Sequence, residues 1–393
     1  MKKALVIGGS NGIGLAIARQ LISEGYFVEV IDKVEPEQGV LPAGCSDYHF
    51  MDMQEPDEEF ILSRAMDGDL DLLMLTAGFG RIADFEFIHT AEIEKMMTVN
   101  ATSTMRVIRL FYDRIKSDER FMCGVMCSIA GLVSTPCAAV YAASKAALCR
   151  FIESLNIELE VSGTGNRILA VAPSAFRGSR FYHGENDLTL LSGLAEEIVS
   201  HLKSSDELFI PQYEETLKGV IDRYREDPHA FGLSSYYYKK KSDRLDNVKR
   251  VKIGFLSGTF DLFHIGHLNL LRRAKSMCDY LIVGVHDSGK WKGKETFIPF
   301  DERKKIIAAC KYVDKVVDAC VEDSDAWELW HYDRLFVGSD YKGTERFRRY
   351  EEFFKDKGVE IVYFPYTQST SSTQIRNAIK ARAAVSSAAD TES

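Results

Sequence analysis

Two short stretches hold residue types at spacings that can do chemistry. In "GTFDLFHIGH", residues 258–267, His264 and His267 stand three positions apart where a strand gives way to a helix. Imidazoles at such a junction are placed as donors to the charge that grows on the α-phosphorus oxygens of a nucleoside triphosphate during nucleotidyl transfer. An attacking phosphate is already ionised, so neither a general base nor a covalent nucleophile is needed. In "YAASK", Tyr141 and Lys145 stand four positions apart and share one face of a helix. An ammonium beside a phenol favours the phenolate, so the spacing predicts a Tyr141 pKa below the usual value of about 10. Ser128, at the end of "VMCSIAG", is placed to hold a carbonyl while Tyr141 protonates it.

A third stretch supplies a cofactor loop. In "VIGGSNGIG", residues 6–14, the glycines Gly8, Gly12 and Gly14 follow a strand and open a helix, so bare backbone can approach a pyrophosphate. Asp32 ends the next strand, "FVEVID", where its carboxylate can accept hydrogen bonds from an adenosine ribose and repel a 2′-phosphate. NAD(H) is therefore favoured over NADP(H), although Lys33 beside it leaves the second open. This loop and "GTFDLFHIGH" lie too far apart in the chain to serve one nucleotide.

The elements that must position these residues follow a regular rhythm. Strand-length apolar runs ("KALVIGG", "FVEVID", "LDLLMLTAG", "CGVMCSIAG", "RILAVAPSAF") alternate with helix-period stretches. A second series runs through "VKIGFLSG", "CDYLIVGVHD", "YVDKVVDAC", "DRLFVGSD" and "VEIVYFP". The expected fold is α/β, with two doubly wound parallel-sheet (Rossmann-like) domains in tandem, residues 1–247 and 248–382. A small, polar tail over 383–393 is expected to be disordered. Between the series, "YREDPHAFGLSSYYYKKKSDRLDNVKR" is expected to pack loosely on one domain before crossing.

Composition narrows the partners. The 393 residues carry a formal net charge of −9, are 46% hydrophobic and 27% charged, and so describe an ordinary globular chain. The acidic balance argues against nucleic acid. "MKKALVIGGS" reads as a first strand rather than a signal peptide, and no apolar run reaches the ~20 residues that span a bilayer. A cytoplasmic protein without membrane insertion is expected. Eight cysteines without a Cys-x-x-Cys pair fit reduced thiols, with Cys123 and Cys127 in the core.

On these motifs the first half resembles the short-chain dehydrogenase/reductase family. The resemblance rests on "GGSNGIG", "TAG" at 76–78, Asn100 in "TVNAT", Ser128, "YAASK" and "VAPSAF". It implies that Ser128, Tyr141 and Lys145 are catalytic, that Asn100 supports a proton relay, and that Gly8, Asn11, Gly12, Ile13, Gly14, Asp32, Ala77 and Gly78 line the cofactor, with Asp52 near its adenine. Ile7 and Thr76 depart from the family's threonine and asparagine, and the stretch after Phe176 is short, which leaves substrate specificity open.

The second half resembles the cytidylyltransferase-like family, in its glycerol-3-phosphate cytidylyltransferase branch. The matching pieces are "GTFDLFHIGH" with Asp261, "KGK" at 292–294, Arg303 in "DERKK", "GSDYKG" at 338–343 and "TQSTSSTQIR" from Thr367. By this resemblance His264, His267 and Lys292 are catalytic, and Gly258, Thr259, Phe260, Lys294, Asp340, Ser371, Ser372 and Thr373 bind nucleotide. Tyr366 and Ser369 replace the branch's arginine and glycine, which weakens glycerol 3-phosphate as the acceptor. No metal ligand is assigned, but Mg²⁺ is expected with CTP.

The combined expectation is a bifunctional enzyme that reduces a small keto- or aldehyde phosphate and transfers a cytidylyl group to the resulting phosphorylated alcohol for a surface polymer. Dimers or tetramers are expected from both families. Two alternatives stay open: a cytidylyltransferase for an amino-alcohol phosphate or phosphonate fused to a reductase acting on another intermediate, and a non-catalytic NAD-sensing domain that regulates a nucleotidyltransferase.

Overall fold

A computed structural model describes residues 2–176, 178, 187–242, 244–249, 251–287 and 296–365. The chain divides into two compact units, Met1–Val248 and Lys249–Ser393.

Among the described residues the first unit is built on seven parallel strands: β1 (Lys3–Ile7), β2 (Phe27–Asp32), β3 (Ser46–Phe50), β4 (Leu70–Leu75), β5 (Met122–Met126), β6 (Ile168–Val171) and β7 (Leu208–Phe209). Their spatial order is β3-β2-β1-β4-β5-β6-β7. The helices are α1 (Gly12–Ser23), α2 (Glu58–Ala65), α3 (Thr90–Met97), α4 (Ser103–Lys116), α5 (Ala139–Ser162), α6 (Leu188–Ser204), α7 (Lys218–Glu226) and α8 (Pro228–Lys241). Alternate residues of β1 feed two cores, because side chains on a strand point to opposite faces. Leu5 and Ile7 pack with Phe111, Ile115 and Leu148. Ala4 and Val6 pack with Ile17, Leu21 and Ile198 on the other face. A sheet covered on both sides needs near-continuous apolar strands, which is why "KALVI" and "LDLLML" read as unbroken runs.

The described residues of the second unit repeat the plan with five parallel strands: β8 (Ile253–Gly258), β9 (Tyr280–Val285), β10 (Lys315–Asp318), β11 (Arg334–Gly338) and β12 (Glu360–Phe364), ordered β10-β9-β8-β11-β12. Its helices are α9 (Ile265–Lys275), α10 (Phe300–Ala308), α11 (Asp323–Trp330) and α12 (Glu345–Phe354). Both sheets reverse strand order once, between β1 and β4 and between β8 and β11. Crevices at such reversals, outside the carboxyl ends of the strands, are where α/β sheets bind ligands.

Two strands escaped the sequence reading. β3, "SDYHF", is a polar edge strand without an apolar run, and β7 is only two residues long. The connecting segment needs a larger correction, since it is helical over α7 and α8 and its end is tightly fastened rather than loosely packed. The Arg81 guanidinium, 4% exposed, pairs with Glu92 at 2.8 Å and donates to the main-chain oxygens of Asp246 and Val248. Asp84 and Asn247 exchange two further bonds at 2.9 and 2.8 Å. Aromatic and basic residues there looked like linker composition, but Asp227 caps α8 through the Ala230 amide and Pro228 takes its first position. No described helix is long and apolar enough to cross a membrane.

Candidate functional sites

The β1–β4 reversal brings the glycine loop against the end of β4. A Cβ on Gly8, at φ +89°, would lie 2.4 Å from the Ala77 nitrogen, and one on Gly14 would lie 2.2 Å from the Gly8 oxygen. Neither position tolerates a side chain, so the loop presents main chain alone. Thr76 fastens it by donating to the oxygens of Ile7 and Gly8 at 3.0 and 2.9 Å. Asn11 is the residue before α1, and Gly12 and Ile13 open that helix. Asp32, at the end of β2, accepts from the Ser10 amide at 3.1 Å. The buried Ser10 hydroxyl has no protein partner, a donor set that fits a dinucleotide crossing a helix start. Asp52 follows β3 and caps a turn through the Gln54 amide.

At the carboxyl ends of β4 and β5 the structure brings Asn100, Ser128, Tyr141 and Lys145 together. Tyr141 and Lys145 lie in the first two turns of α5, and Ser128 starts the short 3₁₀ turn Ile129–Gly131. The Tyr141 phenol is hydrogen-bonded to the Ser128 hydroxyl. Its pKa, however, is pushed up to about 12 by burial, against a lowering from Ser128 alone. This corrects the expectation of a phenol acidified by Lys145. Burial lowers the Lys145 pKa in turn, and its ammonium donates to the Met126 main-chain oxygen at 2.6 Å. Asn100 lies in the π-turn Thr98–Thr102 between α3 and α4. Its amide nitrogen donates to the Phe79 oxygen at 2.8 Å and the Ser144 hydroxyl at 3.0 Å, and its oxygen accepts from the Phe79 amide at 2.9 Å. A Cβ on Gly78 would lie 3.2 Å from the Asn100 oxygen and 3.4 Å from the Lys145 nitrogen, so the loop after β4 runs directly over this pair.

Ser144 escaped the sequence reading, since a serine inside a helix carries no mark of what it faces. So did Cys149, four positions after Lys145, whose thiol hydrogen-bonds Cys127 and, with burial, pushes the Cys127 pKa up.

In the second unit, β8 ends at Gly258 and the chain turns through Thr259, Phe260, Asp261 and Leu262 before α9. Phe260 and Leu262 adopt φ of +52° and +50°, costly for residues with a Cβ and held here by tertiary contacts. Asp261, 3% exposed, accepts from the amides of Phe297 and Ile298 at 3.1 and 3.0 Å. Arg303, with no exposed surface, donates to the main-chain oxygens of Ile298 (2.9 Å), His286 (2.7 Å), Asp287 (2.7 Å) and Thr259. Its guanidinium thus ties the loops after β8 and β9 to the segment that leads into α10.

His264 precedes α9 and accepts from the Gly266 amide through Nδ1 at 3.0 Å. Its ring stacks on that of His267, centroids 4.1 Å apart. Burial, then the neighbouring imidazole, pushes the His267 pKa down to about 4. His267 is therefore a neutral ring at pH 7, with a buried Nδ1 that has no protein partner. Asp340 lies in the 3₁₀ turn after β11. Lys292, Lys294, Ser371, Ser372 and Thr373 lie outside the described residues, as does the tail 383–393. No cluster of metal-binding side chains occurs among the described residues.

Comparison with known proteins assigns each half separately. The short chain dehydrogenase family model matches residues 2–186, and the cytidylyltransferase-like model matches residues 255–378. A glycerol-3-phosphate cytidylyltransferase from Staphylococcus aureus (strain NCTC 8325 / PS 47) is 34% identical over 123 residues, 30% of this chain and 88% of the relative. A probable ethanolamine-phosphate cytidylyltransferase from Encephalitozoon cuniculi (strain GB-M1) is 47% identical over 72 residues, 18% of this chain and 22% of the relative. A short chain dehydrogenase/reductase from Burkholderia phymatum, solved with NAD, has the fold of the first unit at 17% identity and TM-score 0.50, covering 57% of this chain and 93% of that one.

Proposed function

We propose, on the premise that this chain belongs to the cytidylyltransferase-like family and carries a short chain dehydrogenase unit ahead of it, that the two units act in succession. The first reduces a small keto- or aldehyde phosphate, and the second joins the phosphorylated alcohol to CMP from CTP. The single observation that carries this reading is the presence in one chain of two separate switch-point crevices, each furnished with its own chemistry. A CDP-polyol for a surface polymer is the product.

In the first site a nicotinamide cofactor supplies the hydride when bound. The backbone at Gly8, Ala77 and Gly78 shapes its seat, and Asp32 accepts from its ribose, which favours NAD(H). Tyr141 carries the proton that the reduced carbonyl oxygen takes up, and Ser128 orients that oxygen. Lys145 and Asn100 fix the floor of the site through Met126, Phe79 and Ser144. A weakly acidic phenol keeps its proton until the developing alkoxide draws it, which suits a donor in the direction of reduction. In the second site a substrate phosphate oxygen attacks the α-phosphorus, the α–β bond breaks, and pyrophosphate leaves. His264 and neutral His267 donate hydrogen bonds to the oxygens where charge accumulates. Lys292, Lys294, Ser371, Ser372 and Thr373 neutralise and hold phosphates, with Mg²⁺ accompanying the triphosphate. Work in the cytoplasm as a dimer or tetramer completes the reading, with light scattering as the check on assembly.

The full chain incubated with candidate keto-phosphates, NADH and CTP is expected to yield a CDP-polyol by mass spectrometry. A reductase that accepts only the CDP-linked compound reverses the order of steps. Product formed from ethanolamine phosphate and from none of the polyol phosphates favours the second reading, an amino-alcohol phosphate cytidylyltransferase, which the identity with the ethanolamine-phosphate relative supports. Asp32→Ala is expected to raise the KM for NADH about tenfold, the worth of a hydrogen bond to a charged acceptor.

A further inference from the structure

The end of the first unit is fastened to the loop that runs over its reactive groups. Residues 76–84, which lead away from β4, adopt neither helix nor strand. Such a segment has no ladder of its own, so its shape is set by the bonds it makes to its surroundings. At the near end these are the Thr76 hydroxyl on the glycine loop and the two bonds between Phe79 and Asn100. Gly78 lies between them, close over Asn100 and Lys145.

At the far end the partners come from residues 239–248. Every nitrogen of the buried Arg81 guanidinium is used: Nε and one terminal nitrogen donate to the Asp246 main-chain oxygen at 3.2 and 2.7 Å, and that terminal nitrogen also reaches the Val248 oxygen. The other terminal nitrogen donates to both carboxylate oxygens of Glu92 at 2.8 and 2.9 Å. A buried guanidinium is tolerated when its donors are met in this way, and only a planar fork can meet acceptors so spread. The Asp246 amide donates to the Ile82 oxygen at 2.8 Å, and Asn247 and Lys240 both bind Asp84. The same loop reaches toward α5: the Ala83 amide donates to the Cys137 oxygen at 2.7 Å, four residues before Tyr141. Beside it the buried Lys239 ammonium holds the Pro136 oxygen at 2.6 Å.

We propose that Arg81 is a positioning residue of the first unit: by clamping the loop after β4 to residues 246–248, it sets Gly78 and Asn100 in place for the nicotinamide end of the cofactor. The proposal rests on the reading that this unit binds NADH for carbonyl reduction. That chemistry puts the nicotinamide beside Tyr141 and Lys145, the groups this loop covers, whereas Asp32 and the glycine loop serve the adenosine and the pyrophosphate. Residues 239–248 lie beyond residue 186, where the dehydrogenase match ends, so a segment outside the match completes the site.

Binding tests this without turnover. In the full chain NADH is followed by its fluorescence, and ADP, which has the adenosine and pyrophosphate but no nicotinamide riboside, by its displacement of NADH. Arg81→Lys keeps a positive charge opposite Glu92 and loses the fork. It is expected to raise the Kd of NADH about tenfold and to leave that of ADP within about twofold, a split that general loosening of the unit does not produce. Asn247→Ala removes only the bonds to Asp84 and is expected to weaken NADH about threefold in the same selective way, which decides the matter if Arg81→Lys does not fold. Unchanged NADH affinity in the folded variants, or equal losses for NADH and ADP, overturns the proposal and leaves the reductase reading standing. Failure of the unaltered chain to bind NADH overturns both.

Discussion

The two crevices occupy the same place in the same kind of sheet, and they hold their reactive groups with different shares of side chain and main chain. The first joins side-chain pairs to main-chain contacts on separate elements. Asn100 reaches Phe79 and Ser144, Ser128 reaches Tyr141, and Lys145 crosses to Met126. The second relies on main chain, with His264 anchored to the amide of Gly266 and Arg303 binding four carbonyl oxygens. Burial acts on both in the same sense, toward neutral groups: it raises Tyr141 to about 12 and lowers His267 to about 4. Both crevices therefore hold groups that are uncharged at pH 7, which the proposed reading uses as a proton donor in one and a hydrogen-bond donor in the other. The lesson is that low local dielectric, rather than a particular residue type, sets what each crevice offers to a developing anion.

The comparison breaks most sharply at Tyr141. Tyr141→Phe is expected to lower carbonyl reduction about a thousandfold, the scale of a lost general acid, while pyrophosphate release from CTP stays unchanged. An NAD-dependent effect on the second unit that survives with no reductase turnover in either protein supports a sensing domain instead. His267→Ala is the mirror experiment, with cytidylyl transfer expected to fall about a hundredfold and NADH oxidation unaltered.

Arg303→Met sharpens the contrast between side-chain and main-chain assembly. It strands several buried carbonyl oxygens and is expected to destabilise the second unit by about 3 kcal/mol, read as an earlier urea transition of that unit alone. The remaining expected effect is a pH dependence. His267 has a folded pKa of about 4 against an ordinary 6.5, so the unfolded chain takes up its proton first as pH falls. Stability of the second unit is complete above pH 6.5, declines between 6.5 and 4, and loses nothing further from this group below 4. His267→Asn is expected to flatten that slope in urea titrations.

Much of each site was legible because its spacing is local. Tyr141 and Lys145 fall on one face of α5 whatever surrounds them, and His264 and His267 fall at the cap and third position of α9. Strand runs such as "LDLLML" announced a sheet covered on both faces. The polar edge strand β3 gave no such signal, and neither did the clamp of Arg81 on residues 246–248, since it spans most of the first unit's sequence. The aromatic and lysine-rich composition of α8 masked a fixed helix that carries a buried charge.

What the sequence by itself determined is therefore the set of parts whose geometry is fixed within one turn of helix or one strand-to-helix junction: the two glycine-bearing loops, the Tyr-x-x-x-Lys face and the paired imidazoles. Tertiary structure alone decided the state and support of those parts. Desolvation depends on everything packed around a group, which is why the Tyr141 phenol rose instead of falling. The oxygens that hold Lys145, Lys239 and Arg303 are main-chain oxygens, which every residue type carries and which leave no trace in a sequence.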